Sequence, residues 1–148
     1  MANIRPAAAG DIDDLVVLLH TLFSIEKDFQ SDSKRQRQGL EMMLANPQGC
    51  ILVAESDKKV VGMCSGQILV STAEGGPVLL LEDVIVADEY QRQGVGKLLI
   101  KGMTDWAQPR NVSRLNLLAD KNNTNALNFY KHIGWQKTQL ICLRKYIV

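Results

Sequence analysis

The segment LLLEDVIVADEYQRQGVGKLLIKGMTDWA, residues 79–107, decides the fold of this chain. Residues 79–86 are aliphatic except for Glu82 and Asp83, as expected of a strand buried on both faces. After a polar hinge, apolar residues recur at helical spacing along one stripe: Val95, Leu98, Leu99, Met103 and Trp106. The segment therefore predicts a strand, a tight turn and an amphipathic helix, with two unusual carboxylates in the strand.

The turn before the helix has the sequence QRQGVG, residues 91–96. Gly94 and Gly96 leave the first N–H groups of the helix accessible, and the helix dipole adds partial positive charge there. Arg92 and Lys97 flank the turn. A phosphate-bearing ligand is therefore expected.

Two common phosphate-binding loops do not match this turn. The nucleoside triphosphate loop requires Gly and Ser or Thr at the positions occupied by Gln91 and Leu98. A dinucleotide-binding turn requires a third glycine where the chain has Leu99. Both ligand classes are therefore disfavoured.

The turn instead resembles the (Gln/Arg)-x-x-Gly-x-(Gly/Ala) signature of the GNAT superfamily, the acyl-CoA-dependent N-acetyltransferases, through Gln91, Gly94 and Gly96. A second family pattern, Asn-x-x-Ala-x-x-Phe-Tyr, is matched by residues 123–130. The resemblance covers nearly the whole chain in its order of elements, and these two blocks are its specific part.

Periodicity and turn signals predict one α/β domain over residues 1–148, a mixed twisted sheet flanked by helices. The expected order, β-α-α-β-β-β-α-β-α-β, is that of the GNAT fold. Asp11 is the expected N-cap of the first helix. The predicted strands are residues 3–6, 51–55, 60–70, 79–86, 115–119 and a closing strand or hairpin within 135–148.

The resemblance implies that acetyl-CoA lies in a gap where the strand at 79–86 parts from the strand at 115–119. Unpaired backbone groups in such a gap can bind a peptide-like pantetheine arm as they would an added strand. The implied acetyl-CoA contacts are Val84, Ile85, Val86, Gln91, Arg92, Gln93, Gly94, Val95, Gly96, Lys97, Asn123, Ala126 and Tyr130.

Acetyl transfer from a thioester to an alkyl amine requires a base, because an amine with a pKa of about 10 is protonated at neutral pH. Glu82 is the candidate base. Diamine and polyamine acetyltransferases have a similar Leu-Glu-Asp on this strand, matched by residues 81–83. The alternative is a strand carboxylate paired with an arginine. In a regular strand Asp83 would face away from Glu82, unless a bulge intervenes.

Transfer also requires a proton for the departing thiolate and a donor to the oxyanion. Tyr130 is the candidate acid by its place in the second motif, and a backbone N–H of residues 84–86 is the candidate oxyanion donor. The alternative for Tyr130 is a core tyrosine on an apolar helix face.

The acidic residues Glu26, Asp28, Glu82 and Asp83 favour a cationic acceptor, such as a diamine or polyamine, attacking directly in a ternary complex. Protein N-termini and lysine side chains undergo the same chemistry, so a protein or peptide acetyltransferase remains an alternative. A non-catalytic acyl-CoA-binding module is the other.

Composition limits the partners of the chain. Its 17 basic and 16 acidic residues give a net charge of +1, which provides no case for nucleic acid or an anionic membrane. No apolar run approaches the roughly 20 residues of a membrane span, and no secretory signal is recognisable, so a cytoplasmic location is expected. Three scattered cysteines predict reduced, mostly buried thiols and no metal site. A homodimer is implied by the family resemblance alone.

Overall fold

The computed structural model describes residues 1–25 and 32–147, and the chain divides after Leu117 into two units. The first unit contains one sheet in chain order, with β1 to β4 antiparallel and β4 and β5 parallel. Its strands are β1 (Asn3–Pro6), β2 (Gly49–Ser56), β3 (Lys59–Ser71), β4 (Gly76–Val86) and β5 (Leu115–Leu117). The mixed α/β class predicted from the sequence is confirmed.

Helices cover both faces of this sheet. They are α1 (Ile12–Ile25), α2 (Ser33–Ala45) and α3 (Val95–Ala107). On one face, α1 and α2 bury Leu15 and Leu40 against Met63 and Ile85 of the sheet. On the other, α3 approaches β3 so closely that a Cβ at Gly66 would lie 3.0 Å from the sulfur of Met103.

The first helix begins differently from the prediction for Asp11. Asp11 ends a short 3-10 turn, and its carboxylate accepts the N–H of Ala8 at 2.8 Å rather than the amides of α1. It also accepts two bonds from Arg5, at 2.8 and 2.9 Å, and Arg5 donates to Glu55 at 2.8 Å. Asp11 is therefore the partner of an arginine that joins β1, β2 and the helix start.

The second unit contains α4 (Thr124–His132). Gly134, two residues after its last residue, has a φ of 99° and terminates the helix, as the sequence predicts. The predicted closing strand is wrong, because residues 135–147 form no strand. Leu140 and Ile147 are 84% and 96% exposed. An apolar sequence forms a strand only where a neighbouring strand binds its N–H and C=O groups, and residues 118–147 contain no strand. A single domain over the whole chain stays a prediction.

Candidate active site

A bulge in β4 contains the two carboxylates of the site. On β3 only Ser65 lies between two paired residues, whereas on β4 both Glu82 and Asp83 lie between theirs. Two residues opposite one is the geometry of a β-bulge. The flanking pairs are Gly66 with Leu81 and Cys64 with Val84.

The bulge reverses the alternation of side chains along β4. Leu79 lies beside Met103 of α3, whereas Ile85 belongs to the core against α1 and α2. Residues six positions apart would share a face in a regular strand. Counting from each end, Glu82 and Asp83 both project from the face covered by α1 and α2. The expectation that Asp83 faces away from Glu82 is therefore wrong for this strand, and the bulge is the reason.

Neither carboxyl has an arginine or lysine partner in the first unit. No Arg or Lys of residues 1–25 and 32–117 forms an ion pair with Glu82 or Asp83. Partial removal from water raises the pKa of Glu82, and the charge of Asp83 raises it further. Burial also raises the pKa of Asp83, an effect that the Ser65 hydroxyl partly offsets by donating to its carboxylate at 2.7 Å. Within this unit, Glu82 is therefore not paired with an arginine, which was the alternative interpretation.

Beyond the bulge, β4 loses its parallel neighbour. Among the described strands, β5 pairs only with Leu79–Leu81 of β4, and residues 84–86 pair only with β3. Because the N–H of Ala87 donates to Val61 on β3 at 2.8 Å, strand alternation turns the N–H groups of Val84 and Val86 away from β3. These N–H groups border a gap in the sheet, where an extended ligand can bind them.

The turn after β4 is held by its own side chains. Gln91 donates to the carbonyl of Val86 at 3.1 Å, and Gln93 donates to that of Glu89 at 3.2 Å. Gly94 has a φ of 83°, a left-handed conformation that favours glycine. The two glutamine side chains therefore hold the backbone of the turn.

The N–H groups of the first turn of α3 are available to an anion. The first intrahelical bond runs from the N–H of Leu98 to the carbonyl of Gly94 at 3.1 Å, so the N–H groups of residues 95–97 have no intrahelical partner. Arg92 and Lys97 are exposed beside them. This is the geometry in which a helix start binds phosphate.

A cavity of about 630 Å³ adjoins this turn. It is lined in part by Gln93, Gly94, Lys97 and Lys101. Lys101 lies one turn after Lys97 and also pairs with Asp105 at 2.8 Å. The sequence prediction omitted Lys101, although its i, i+4 spacing from Lys97 was a usable signal.

The second motif forms a helix cap and an aromatic cluster. The side-chain oxygen of Asn123 accepts the N–H of Ala126 at 3.1 Å, which caps α4. The ring of Tyr130 is half-buried, with centroids 5.2 Å from Phe129 and 5.7 Å from Trp135. The oxygen of Asn123 is thus already engaged, while the aromatic contacts fix the plane of Tyr130.

Burial disfavours the reactive thiolate form of the two buried cysteines. Burial raises the pKa of Cys50 to about 11 and also raises that of Cys64, so both thiols stay protonated at neutral pH. Cys142 is exposed. Among residues 1–25 and 32–147, no group of three His, Cys, Asp or Glu is placed to hold a metal ion. No helix in the same residues is long and apolar enough to cross a membrane.

The gap in the sheet and the turn beside it are those expected of an acyl-CoA-dependent transferase. The chain belongs to the acetyltransferase (GNAT) family, whose profile matches residues 16–135. It is 30% identical over 143 residues to the mouse thialysine N-epsilon-acetyltransferase, covering 90% of this chain and 84% of that protein.

Other relatives are longer than this chain. An uncharacterized N-acetyltransferase of Methanocaldococcus jannaschii is 22% identical over 141 residues, which span 94% of this chain and 62% of that protein. The chain matches 39% of the length of human N-acetyltransferase 8. Among solved structures, the aminoglycoside N-acetyltransferase AAC(6')-Iy, in complex with CoA, aligns with a TM-score of 0.87 at 17% identity. That alignment covers 100% of this chain and 96% of the other, and at this identity it shows the fold.

Proposed function

We propose that the chain is an acetyl-CoA-dependent N-acetyltransferase that acts on a small cationic primary amine, of diamine or polyamine type. The observation that carries the proposal is the β4 bulge. It presents two carboxylates without an arginine or lysine partner in the first unit on one face of the sheet, next to backbone N–H groups that border a gap. Acidic groups with raised pKa values cluster at sites that bind cations or transfer protons.

The residues of the first unit fit acetyl-CoA, which supplies the acyl thioester when bound. The N–H groups of Val84 and Val86 would bind the pantetheine arm, and one of them would donate to the oxyanion. The N–H groups of residues 95–97, with Arg92 and Lys97, would bind the pyrophosphate. Ile85 contributes to the core rather than to the gap.

Glu82 is the proposed base. It is exposed, so a substrate or a bridging water can reach it, and its raised pKa brings its basicity closer to that of an amine. It would take the proton of the ammonium group before the amine attacks the acyl carbon. Asp83, held by Ser65, would keep a second positive charge of the acceptor in place. Glu26 and Asp28, which the sequence also suggests as acceptor contacts, lie outside the described residues.

The names of relatives favour small amines as the acceptor class. The mouse relative is named for thialysine, and the solved structure for aminoglycosides. Both kinds of acceptor carry alkylammonium groups, which suits an acidic site. We place the reaction in the cytoplasm on composition, and homodimer formation stays a prediction from the family resemblance.

The direct test is release of the CoA thiol from acetyl-CoA by purified protein, with diamines, polyamines, lysine analogues, aminoglycosides and short peptides as acceptors. We expect release with diamines or polyamines. Release with peptides alone would indicate a protein acetyltransferase. No release with any acceptor, together with a higher melting temperature in acetyl-CoA, would indicate a binding module.

Tyr130 is the proposed acid for the departing thiolate, and Tyr130→Phe tests this role. We expect kcat to fall about 100-fold, the usual contribution of a positioned acid, with little change in the Kd of acetyl-CoA. The matched control is Tyr146→Phe, at an exposed tyrosine of the same unit. Unchanged turnover in Tyr130→Phe would remove Tyr130 from the mechanism.

A further inference from the structure

Ser65 makes two hydrogen bonds to the same residue of the β4 bulge. Its Oγ donates to the carboxylate of Asp83 at 2.7 Å and accepts the backbone N–H of Asp83 at 3.3 Å. Ser65 is 4% exposed and lies on β3 directly opposite the bulge. One buried hydroxyl therefore binds both the backbone and the side chain of the inserted residue.

A bulge leaves the backbone of its extra residue without a ladder partner, and a buried unpaired N–H is unfavourable. The Ser65 oxygen supplies the missing acceptor. Its hydroxyl hydrogen goes to the carboxylate, so one donor and one acceptor function of the group are both used. The hydroxyl thus stabilises this particular two-against-one register of β3 and β4.

Glu82 precedes Asp83 in the bulge but has no comparable support. Among residues 1–25 and 32–117, no hydrogen bond or ion pair holds its carboxylate. The direction in which Glu82 projects therefore depends on the backbone of the bulge. That backbone is bound by Ser65 at the next residue.

We infer that Ser65 is a positioning residue for acetyl transfer, which fixes the bulge so that Glu82 and Asp83 face the acceptor amine together. The inference rests on the proposed function, and Ser65 need not touch the amine or acetyl-CoA. A serine that merely filled space could be replaced by alanine at little cost to catalysis.

The test compares Ser65→Ala, Ser65→Thr and the control Ser113→Ala with the wild-type enzyme. We expect Ser65→Ala to lower kcat/KM for the amine by about 10- to 100-fold, as loss of a supporting hydrogen bond typically does. The Kd of acetyl-CoA should change much less than kcat/KM, because Ser65 does not line the cavity beside the turn that would bind the pyrophosphate. Ser65→Thr, which keeps the hydroxyl, should recover most of the loss. Ser113 donates to Pro77 at 3.5 Å at the far end of β4, so its variant should behave as wild type.

Hydrogen exchange of the Asp83 amide provides a readout that needs no acceptor. We expect exchange at least about 10-fold faster in Ser65→Ala, because the N–H loses its acceptor. Faster exchange with unchanged kcat/KM would show a structural serine and overturn the inference. A Ser65→Thr enzyme with wild-type melting temperature but alanine-like activity would also overturn it.

The failure of this inference differs from failure of the proposed function. Wild-type protein that transfers acetyl to no amine would overturn the proposed function. Active wild-type protein whose Ser65→Ala variant keeps full activity would overturn the role of Ser65 alone.

Discussion

Two pairs of carboxylates in the first unit have opposite electrostatic surroundings. Asp11 and Glu55 share Arg5, whose hydrogen bonds hold the pKa of Asp11 below its usual range. Glu82 and Asp83 adjoin each other in the bulge; partial removal from water and the charge of Asp83 raise the pKa of Glu82, and burial raises that of Asp83. Both pairs lie within the first unit, so the difference comes from their partners.

This difference separates acidic residues that stabilise the fold from acidic residues that destabilise it. A carboxylate that donors satisfy contributes to stability, whereas a desolvated carboxylate without a cation is unfavourable for folding. Groups of the second kind persist where a reaction or a charged ligand uses them. From this contrast we predict that Arg5, Asp11 and Glu55 serve the fold and that the bulge serves the proposed reaction.

Of the substitutions that test this contrast, the one at Glu82 should have the largest effect, and the effect should be on kcat. In Glu82→Gln we expect kcat to fall about 100-fold or more, the usual contribution of a general base, with an almost unchanged melting temperature. A base must be deprotonated, so wild-type activity should fall as the pH drops through the pKa of Glu82. Because that pKa is raised, this limb should lie above the pKa of about 4.3 of an ordinary glutamate. Initial rates from pH 5 to 9 measure both effects.

The same change at Glu55 is the matched control. Glu55→Gln removes a carboxylate that pairs with Arg5, so it should lower the melting temperature and leave kcat unchanged. If Glu55→Gln slowed catalysis as much as Glu82→Gln, the division into structural and functional acids would be wrong.

Removal of Arg5 tests whether the pair Asp11 and Glu55 stabilises the fold. We expect Arg5→Met to lower the free energy of unfolding by about 1 to 3 kcal/mol at pH 7, since Asp11 is buried and loses a charged donor. The Asp11 pKa is lowered in the folded state, so this stability is present above the unfolded pKa of about 3.9 and is lost as the pH falls through the folded pKa. Urea unfolding at pH 7 and pH 3 measures the loss and its decrease in acid.

An exposed ion pair provides the control for Arg5. Arg37 pairs with Asp13 across α1 and α2, and both side chains are largely exposed. Arg37→Met should therefore cost less than about 1 kcal/mol. Equal losses in the two variants would show that burial of Asp11 adds nothing to its pairing with Arg5.

The elements of the fold follow from local sequence, but the contacts of the two acid pairs do not. Periodicity places α3, β4 and the turn between them, because apolar spacing and glycines act over a few residues. The bulge depends on the register between β3 and β4, which is set by pairing across a hairpin. The hydrogen bonds of Arg5 join residues 50 positions apart. Local sequence therefore predicts Asp11 as a helix N-cap and does not show that it binds Arg5. Residues 135–147 are predicted as a strand because apolar content does not reveal whether a neighbouring strand is there to pair with them.

The same limit applies to the candidate site. Gln91 and Asn123 match family positions, and Gln93 is an implied acetyl-CoA contact, yet these side chains bind the protein's own backbone in the turn and the helix cap. The sequence also does not predict which N–H groups border the gap, because the position of the gap depends on where β5 ends. Residue identity predicted the kind of chemistry, and strand pairing decided which atoms are available for it.

Substitution of Asp83 should have the smallest effect and the opposite sign to that of Arg5. Burial raises the pKa of Asp83 in the folded state, so its contribution to stability is lost as the pH rises through that pKa. A neutral asparagine side chain at this position avoids the cost of the ionised carboxylate and can still accept from Ser65. We therefore expect Asp83→Asn to raise the melting temperature at pH 8 by about 2 °C, less than about 1 kcal/mol for a chain of this size. Thermal unfolding at pH 8 and pH 3 should show the gain only at pH 8, and Glu41→Gln, at an exposed glutamate, is the control. A lower melting temperature of Asp83→Asn at pH 8 would mean that Asp83 stabilises the fold and that the two acid pairs do not differ in kind.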